Sequence, residues 1–272
     1  MDVNQPAVKQ QYRLDNAWVR ARERLALVEA CYDPGTIRHL KSLGVNEGWH
    51  CLEIGGGGSI ADWLCRRVGS SGHVVATDIN TRFLQALDLP NLEVRRHNIV
   101  DDVLEEGAFD LVHTRAVLVH LDQRDTALDR LVAALRPGGW LLAEENDFAS
   151  FVADPRAGDV ACERLARLIK THQAAGGGVD VFYGRRLYAD QCARGLVDVG
   201  AEGRSWMGSG AAPSAQGLRL SYTQMREVLL GAGELDAEEL DACLALFDDP
   251  NFVFMHGTLM AAWGRWPGDS TS

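Results

Sequence analysis

The sequence has little that would suit a membrane, a metal ion or a nucleic acid. No apolar run approaches the roughly 20 residues that cross a bilayer as a helix, and the polar segment 1–11 does not resemble a secretory signal. The six cysteines form no C-x-x-C pair and none has zinc-ligand spacing to a histidine. A net charge of −11 disfavours phosphate backbones as partners. We therefore expect a cytoplasmic protein with reduced thiols, no metal, no membrane contact and no nucleic-acid partner.

Hydrophobic residues make up 46% of the 272 positions, enough for a globular fold with a buried core. Leu14, Trp18 and Leu25 recur at helical spacing, and Asp33-Pro34 is typical of the start of a second, short helix. We interpret residues 1–48 as a helical arm. An arm of this kind often packs on a neighbouring subunit, so a homo-oligomer is one expectation.

From residue 49 the pattern alternates between short apolar strands and helices, which predicts a parallel sheet covered on both faces. Strands are predicted near 49–54, 73–77, 92–95, 109–113 and 140–143, with helices at 59–68, 81–87 and 124–135. In the last third we predict lid helices within about 206–248 and a final strand at about 252–263.

The segment Gly55–Gly58 lies between a predicted strand and a predicted helix. Glycines there allow a tight turn and leave the backbone accessible to a ligand, next to unpaired helix amides. Gly56, Gly58 and Ala61 also satisfy the dinucleotide fingerprint G-x-G-x-x-A, with Asp78 about 20 residues further on. A nicotinamide-dependent oxidoreductase and a turn that serves only packing therefore stay open at this point.

Five segments, in order between residues 49 and 146, resemble the motifs of class I methyltransferases. Glu53-Ile54-Gly55-Gly56-Gly57 is similar to the E/D-x-G-x-G signature, and Ser59 departs from the glycine of that loop. The other four are 76–79, 97–99, 109–115 and the Pro-Gly-Gly turn within 135–142. The resemblance implies a three-layer Rossmann-like α/β fold, with a mostly parallel seven-stranded sheet and helices on both faces. The methyltransferase domain would run over 49–272.

The resemblance also implies S-adenosyl-L-methionine as the cofactor and S-adenosyl-L-homocysteine as its product. In this interpretation Asp78 binds the ribose hydroxyls, unless it is only a helix cap. Glu53 organises the glycine amides around the methionine amine. Arg115 would hold the cofactor carboxylate or an acidic substrate, unless it forms only a surface ion pair. Asn98 would pair with adenine, unless it is a turn residue. The full cofactor set is Glu53, Gly55, Gly56, Gly57, Asp78, Ile79, Asn98, Ile99, Thr114 and Arg115.

Methyl transfer needs alignment and exclusion of water more than it needs protein chemistry. Where the acceptor must lose a proton, His113 and His120 are the candidate bases, with packing under the sheet as the alternative for His120. Four aromatic residues outside the sheet, together with one carboxylate at the end of the fifth strand, predict a substrate pocket for a small organic molecule, as in specialised metabolism. The alternatives are core packing for the rings and simple solvation for the carboxylate. The five residues are Trp18, Asp147, Phe148, Trp206 and Tyr222.

Two rival functions remain. The NAD(P)-dependent oxidoreductase would need a hydride-transfer constellation, and the sequence has no Y-x-x-x-K. A catalytically silent protein that kept the fold and its cofactor site is the second rival.

Overall fold

A computed structural model describes residues 14–176 and 179–267 of the chain. In this part of the chain, strands and helices alternate up to Asp147 and become irregular afterwards. The strands are β1 (His50–Ile54), β2 (His73–Asp78), β3 (Leu92–Arg96), β4 (Phe109–Arg115), β5 (Leu135–Asp147), β6 (Val152–Ala153), β7 (Val197–Arg204), β8 (Met207–Ser209), β9 (Val253–Met255) and β10 (Thr258–Arg265). The helices are α1 (Ala21–Ser42), α2 (Ser59–Val68), α3 (Arg124–Ala133), α4 (Asp159–Ala174), α5 (Leu187–Ala193), α6 (Pro213–Gln224), α7 (Arg226–Gly231) and α8 (Ala237–Ala245).

Seven strands form the main sheet, in the order β3-β2-β1-β4-β5-β10-β7. The first five run parallel to one another, and β10 is antiparallel to both β5 and β7. This confirms the predicted Rossmann-like sheet, which is mixed only at its end. The strand order reverses between β1 and β4, and ligands of open α/β sheets bind at the carboxyl ends of strands at such a point.

The central strands are buried because both of their faces are covered. Cys51 packs in the hydrophobic cluster on one face, together with α2, and its neighbour Leu52 packs in the cluster on the other face, together with α3. Leu111 and Val112 on β4 divide in the same way. Side chains alternate across a strand, so a strand covered on both faces is a continuous apolar run.

Residues 1–13 of the predicted arm lie outside the described residues, and residues 14–48 contain one long helix where two were expected. Pro34 lies inside α1 and does not start a new helix, although proline cannot donate a helical hydrogen bond. Side chains next to Pro34 hold the helix in place, because Asp33 pairs with Arg115 and Thr36 donates a hydrogen bond to Glu144. The helix predicted at 81–87 is also reduced, to a 3-10 turn at Leu84–Ala86.

The lid is built from two separate stretches, of which only the second was predicted. One stretch follows β5 and contains β6 and α4, and the other contains β8, α6, α7, α8 and β9. The predicted final strand is interrupted at His256-Gly257, so that β9 joins β6 and β8 in a small second sheet while β10 enters the main sheet. Side chains from both stretches share one hydrophobic core, which includes Phe151, Leu168, Tyr222, Phe247 and Phe254.

Within the described residues, no helix has the length and apolar character needed to span a bilayer.

Candidate active site

A small cavity of about 80 Å³ lies at the carboxyl ends of β1, β2 and β4. Four residues predicted to hold a nucleoside, Asp78, Ile79, Asn98 and Ile99, line it. Gly55 and His120 also line this cavity. The remaining lining residues are Ile54, His97, Ala116, Val117 and Leu121.

Asp78 is the one carboxylate in the lining of this small cavity. Its Oδ1 accepts a hydrogen bond from the Asn80 amide at 2.7 Å, which fixes the carboxylate at the end of β2. Burial raises the pKa of Asp78 to about 6; the Asn80 amide opposes this shift and nearby Asp15 adds to it. The carboxylate therefore faces a cavity rather than bulk solvent, as binding of a ribose would require.

Asn98 lines the small cavity but behaves as the turn residue that was kept as its alternative. Its Oδ1 accepts from the Val100 amide at 3.0 Å, and its Nδ2 donates to Asp101. A side chain held at both ends by its own turn is a poor reader of adenine. Its neighbour His97 also lines the cavity, and burial lowers the pKa of that imidazole. Sequence reasoning missed His97 as a separate candidate, although it stands in the motif.

A larger cavity of about 160 Å³ adjoins the first and extends between the sheet and the lid. The two cavities share Gly55, Ala116 and His120 in their walls. Other walls of the larger cavity come from α1, the glycine turn, β5, α4 and α6. The two cavities therefore adjoin at these three residues, and His120 lines both.

A side chain would meet different obstacles at Gly55 and at Gly57 of the turn. Gly55 has φ +74° and packs against Val117, so a side chain there would be strained and would clash within the protein itself. Gly57 lines the larger cavity, and a Cβ on it would lie 2.7 Å from Oε1 of Glu29 and 3.5 Å from Leu25. The turn is thus open to the cavity but partly covered by α1.

His113 is not placed to act as a base, contrary to its prediction. The imidazole is completely buried between two carboxylates, with Nδ1 2.5 Å from Glu53 and Nε2 3.3 Å from Glu144. Burial disfavours its charged form, but the two carboxylates outweigh burial and raise the pKa of His113 to about 9. A charged imidazole with both nitrogens bound has no free site for a substrate proton.

Of the two cofactor residues predicted at the end of β4, only Arg115 lies in a cavity wall. Thr114 is buried and reaches neither cavity. Arg115 does line the larger cavity, but it donates to Thr36 and Asp33, both at 2.8 Å. These bonds tie α1 to the sheet, so a contact between Arg115 and the cofactor carboxylate stays a prediction.

His120, the other candidate base, lies where the two cavities meet. It ends a 3-10 turn, Leu118–His120, that follows β4. The carboxylate of Glu145 accepts hydrogen bonds from the amides of Val117, Leu118 and Val119 at 2.7–3.2 Å and so supports this turn from below. Burial raises the pKa of Glu145 to about 7, although the three amides oppose that shift.

Three of the five predicted pocket residues, Phe148, Trp206 and Tyr222, line the larger cavity. Trp18 and Asp147 do not. The carboxylate of Asp147 binds Arg185 in a two-point contact at 2.6 and 2.7 Å and caps the Ala149 amide. Trp18 lies just before α1 and lines neither cavity, although Leu14 of the same segment lines the larger one.

Several polar residues of the larger cavity were not found from the sequence. Tyr32 donates to Asn146 at 3.0 Å, and burial raises its pKa to about 12. His256 stacks on Trp206 with ring centroids 4.7 Å apart, and burial lowers its pKa to about 4. The other missed residues are Arg24, Glu29, His172, Ser214 and Ser221. Their positions in the chain carry no motif, so only packing brings them together.

A family model described as a methyltransferase domain matches residues 52–141, about a third of the chain. The order and directions of the seven main-sheet strands are those of the Rossmann-like methyltransferase fold. No group of three or more His, Cys, Asp or Glu side chains in the described part of this chain is arranged to hold a metal.

A curated relative, Methyltransferase str2 of Strobilurus tenacellus, is 30% identical over 138 residues, which are 50% of this chain and 49% of that protein. The matched segment thus spans about half of the relative's length. Among solved structures, phosphoethanolamine N-methyltransferase 2 of Haemonchus contortus has a TM-score of 0.56 at 15% identity, covering 92% of this chain and 58% of that one. The YcgJ protein of Bacillus subtilis has a TM-score of 0.53 at 14% identity, covering 86% and 98%. Both structures support the fold of the methyltransferase domain.

Proposed function

We propose that this protein is an S-adenosylmethionine-dependent methyltransferase that acts on a small organic molecule. The observation that carries the proposal is the pair of joined cavities at the switch point of the sheet. One cavity presents a partly buried carboxylate, Asp78, to a space lined by Ile79 and Ile99, and the other is an aromatic space under the lid. The matching methyltransferase domain supports the same activity.

The residues present fit the cofactor. Asp78 would accept hydrogen bonds from the ribose hydroxyls, with Ile79 and Ile99 against the base. The open backbone at Gly56 and Gly57 would take the methionine part. When bound, the cofactor supplies an electrophilic methyl group, so the protein has to position the acceptor and exclude water.

His120 is the residue best placed to take a proton from the acceptor. It lines both the small cavity, proposed for the nucleoside, and the larger cavity, proposed for the acceptor. The bound cofactor would supply the methyl group, and His120 would take the proton that the acceptor loses.

The enclosed cavity also favours a small acceptor over a macromolecule. Its walls include the lid helices α4 and α6 and the aromatic rings of Phe148, Trp206 and Tyr222. Such lining is typical of sites that surround most of a small ligand.

Titration calorimetry with S-adenosylhomocysteine and with NADH tests the cofactor. We expect micromolar binding of S-adenosylhomocysteine and no binding of NADH; the reverse result would support the oxidoreductase. Transfer of a labelled methyl group to a panel of phenols, amines and aromatic acids then tests turnover. Cofactor binding without transfer to any member would support the catalytically silent alternative.

A further inference from the structure

One charged residue in the larger cavity has no counter-charge among residues 14–176 and 179–267. Arg24, in the first turn of α1, is 3% exposed and lines the cavity. Its only side-chain hydrogen bond within the described chain is a long one, 3.4 Å, from Nη2 to the Leu14 carbonyl, and its Nε has no partner. A guanidinium stays charged and carries five N–H donors, so burial without an acceptor is costly.

The carboxylates in the walls of this cavity pair with other cations. Glu29 pairs with Arg22 through Oε2, while its Oε1 has no hydrogen-bond partner in the described chain, and Glu53 pairs with His113. No acidic residue in residues 14–176 and 179–267 forms an ion pair with Arg24. The cavity therefore has an unmatched positive charge that an anionic ligand would neutralise.

The hydrogen bond of Arg24 joins it to Leu14, a residue of the lid core. Leu25 and Glu29 lie on the side of α1 that approaches Gly57, at 3.5 and 2.7 Å from its Cβ position. Leu27 and Val28 contact Gly217 of α6. Arg24 is on the same side as Val28, one helical turn away.

The residues around Arg24 indicate the chemical character of the rest of the ligand. Phe148, Trp206 and Met225 give the cavity an apolar, largely aromatic wall. Tyr222 contributes a fully buried hydroxyl that has no hydrogen-bond partner in the described chain. An aromatic body and one carboxylate would satisfy both the apolar wall and the unpaired donors.

We infer that the methyl acceptor is an aromatic carboxylic acid whose carboxylate binds Arg24, an inference that rests on the proposed methyltransferase function. The carboxylate of S-adenosylmethionine itself is the other anion with the chemistry to bind Arg24. The contact of Arg24 with Leu14 of the lid core favours the acceptor, and the experiment separates the two anions.

The test compares Arg24→Met with Arg20→Met. The control removes an exposed arginine four residues earlier, at the start of α1. Each protein is saturated with S-adenosylhomocysteine and titrated with benzoate, phenylacetate and 3-phenylpropanoate, and with the matching amides. We expect at least one acid to bind wild type and Arg20→Met at least about tenfold more tightly than its amide. Arg24→Met should lose that preference and keep its affinity for S-adenosylhomocysteine within about threefold.

Three results would overturn the inference. The first is no preference for any acid over its amide in wild type. The second is an Arg24→Met protein that keeps the preference. The third is a loss of about tenfold or more in the affinity of Arg24→Met for S-adenosylhomocysteine, which would assign Arg24 to the cofactor's carboxylate. Failure of wild type to bind S-adenosylhomocysteine would instead contradict the proposed function.

The thermal unfolding of the unliganded variants provides a second readout. Removing a buried charge that has no partner should leave the Tm of Arg24→Met equal to or above that of wild type. A clear fall in Tm would show that Arg24 stabilises the fold, and would contradict a ligand-binding role. Arg24→Lys keeps the charge, and we expect it to retain part of the preference for the acid.

Discussion

Replacing Asp78 by Asn should make the free protein more stable and the cofactor complex weaker. The amide keeps an oxygen that can accept the Asn80 hydrogen bond, so the turn at the end of β2 should survive. What changes is the charge. The ribose hydroxyls would then lose a charged acceptor, while a partly buried carboxylate is removed from the free protein.

The two magnitudes follow from the pKa and from the expected contacts. Burial raises the pKa of Asp78 from 3.8 to about 6, and each pKa unit corresponds to about 1.4 kcal/mol. A carboxyl whose pKa is raised destabilises the fold when ionised, and this cost disappears as the pH falls from about 6 towards 4. Partial solvent access reduces the cost at pH 7 to about 1–2 kcal/mol. Loss of two charge-assisted hydrogen bonds should cost about 2–3 kcal/mol of cofactor binding.

We therefore expect the Tm of the unliganded Asp78→Asn protein to rise by about 2–6 °C at pH 7. Its Kd for S-adenosylhomocysteine should increase about 30- to 150-fold in calorimetry. Wild-type affinity should fall about tenfold between pH 7 and pH 5 as Asp78 is protonated, and the variant should show a smaller fall. Asp88→Asn removes an exposed carboxylate from the following loop and is the matched control.

The reasoning would be refuted by an Asp78→Asn protein that binds S-adenosylhomocysteine within threefold of wild type. A lower Tm together with normal binding would mean that Asp78 holds the fold and not the ribose.

Three further perturbations test the site. His120→Gln should lower kcat about 100-fold at neutral pH without changing cofactor affinity, and an unchanged rate would remove His120 as the base. Gly57→Val should abolish binding of S-adenosylhomocysteine while circular dichroism stays normal, because the residue opens onto the cavity and displaces only the end of Glu29; normal binding would make the turn a packing feature. His113→Gln should cost about 3–5 kcal/mol in urea unfolding at pH 7, because it leaves Glu53 and Glu144 buried without a cation. The raised pKa of His113 stabilises the wild type fully below about pH 6.5 and loses that effect as the pH rises through about 9, so wild type should weaken between pH 7 and 9.5 more than the variant does; equal pH dependence would contradict the buried ion pair.

The sequence predicted those features that depend on local pattern. Strands β1 and β4 each have an apolar centre, Cys51-Leu52 and Leu111-Val112, because neighbouring residues enter different cores. The glycine turn follows β1, and Asp78 ends β2. A motif fixes its own backbone conformation within a few residues. For that reason the sheet, the parallel direction of its strands and the position of the small cavity could be expected from the order of residues alone.

Tertiary structure decided the properties that depend on partners far along the chain. His113 and His120 are seven residues apart in the same stretch of sequence, yet Glu53 and Glu144 seal the first, while the turn supported by Glu145 exposes the second to both cavities. The lid core likewise joins residues far apart in the chain, such as Phe151 and Tyr222. Arg24 becomes a cavity residue because α1 packs against α6. Burial, pKa values and pocket shape depend on such contacts between residues distant in the sequence, and no local pattern of residues encodes them.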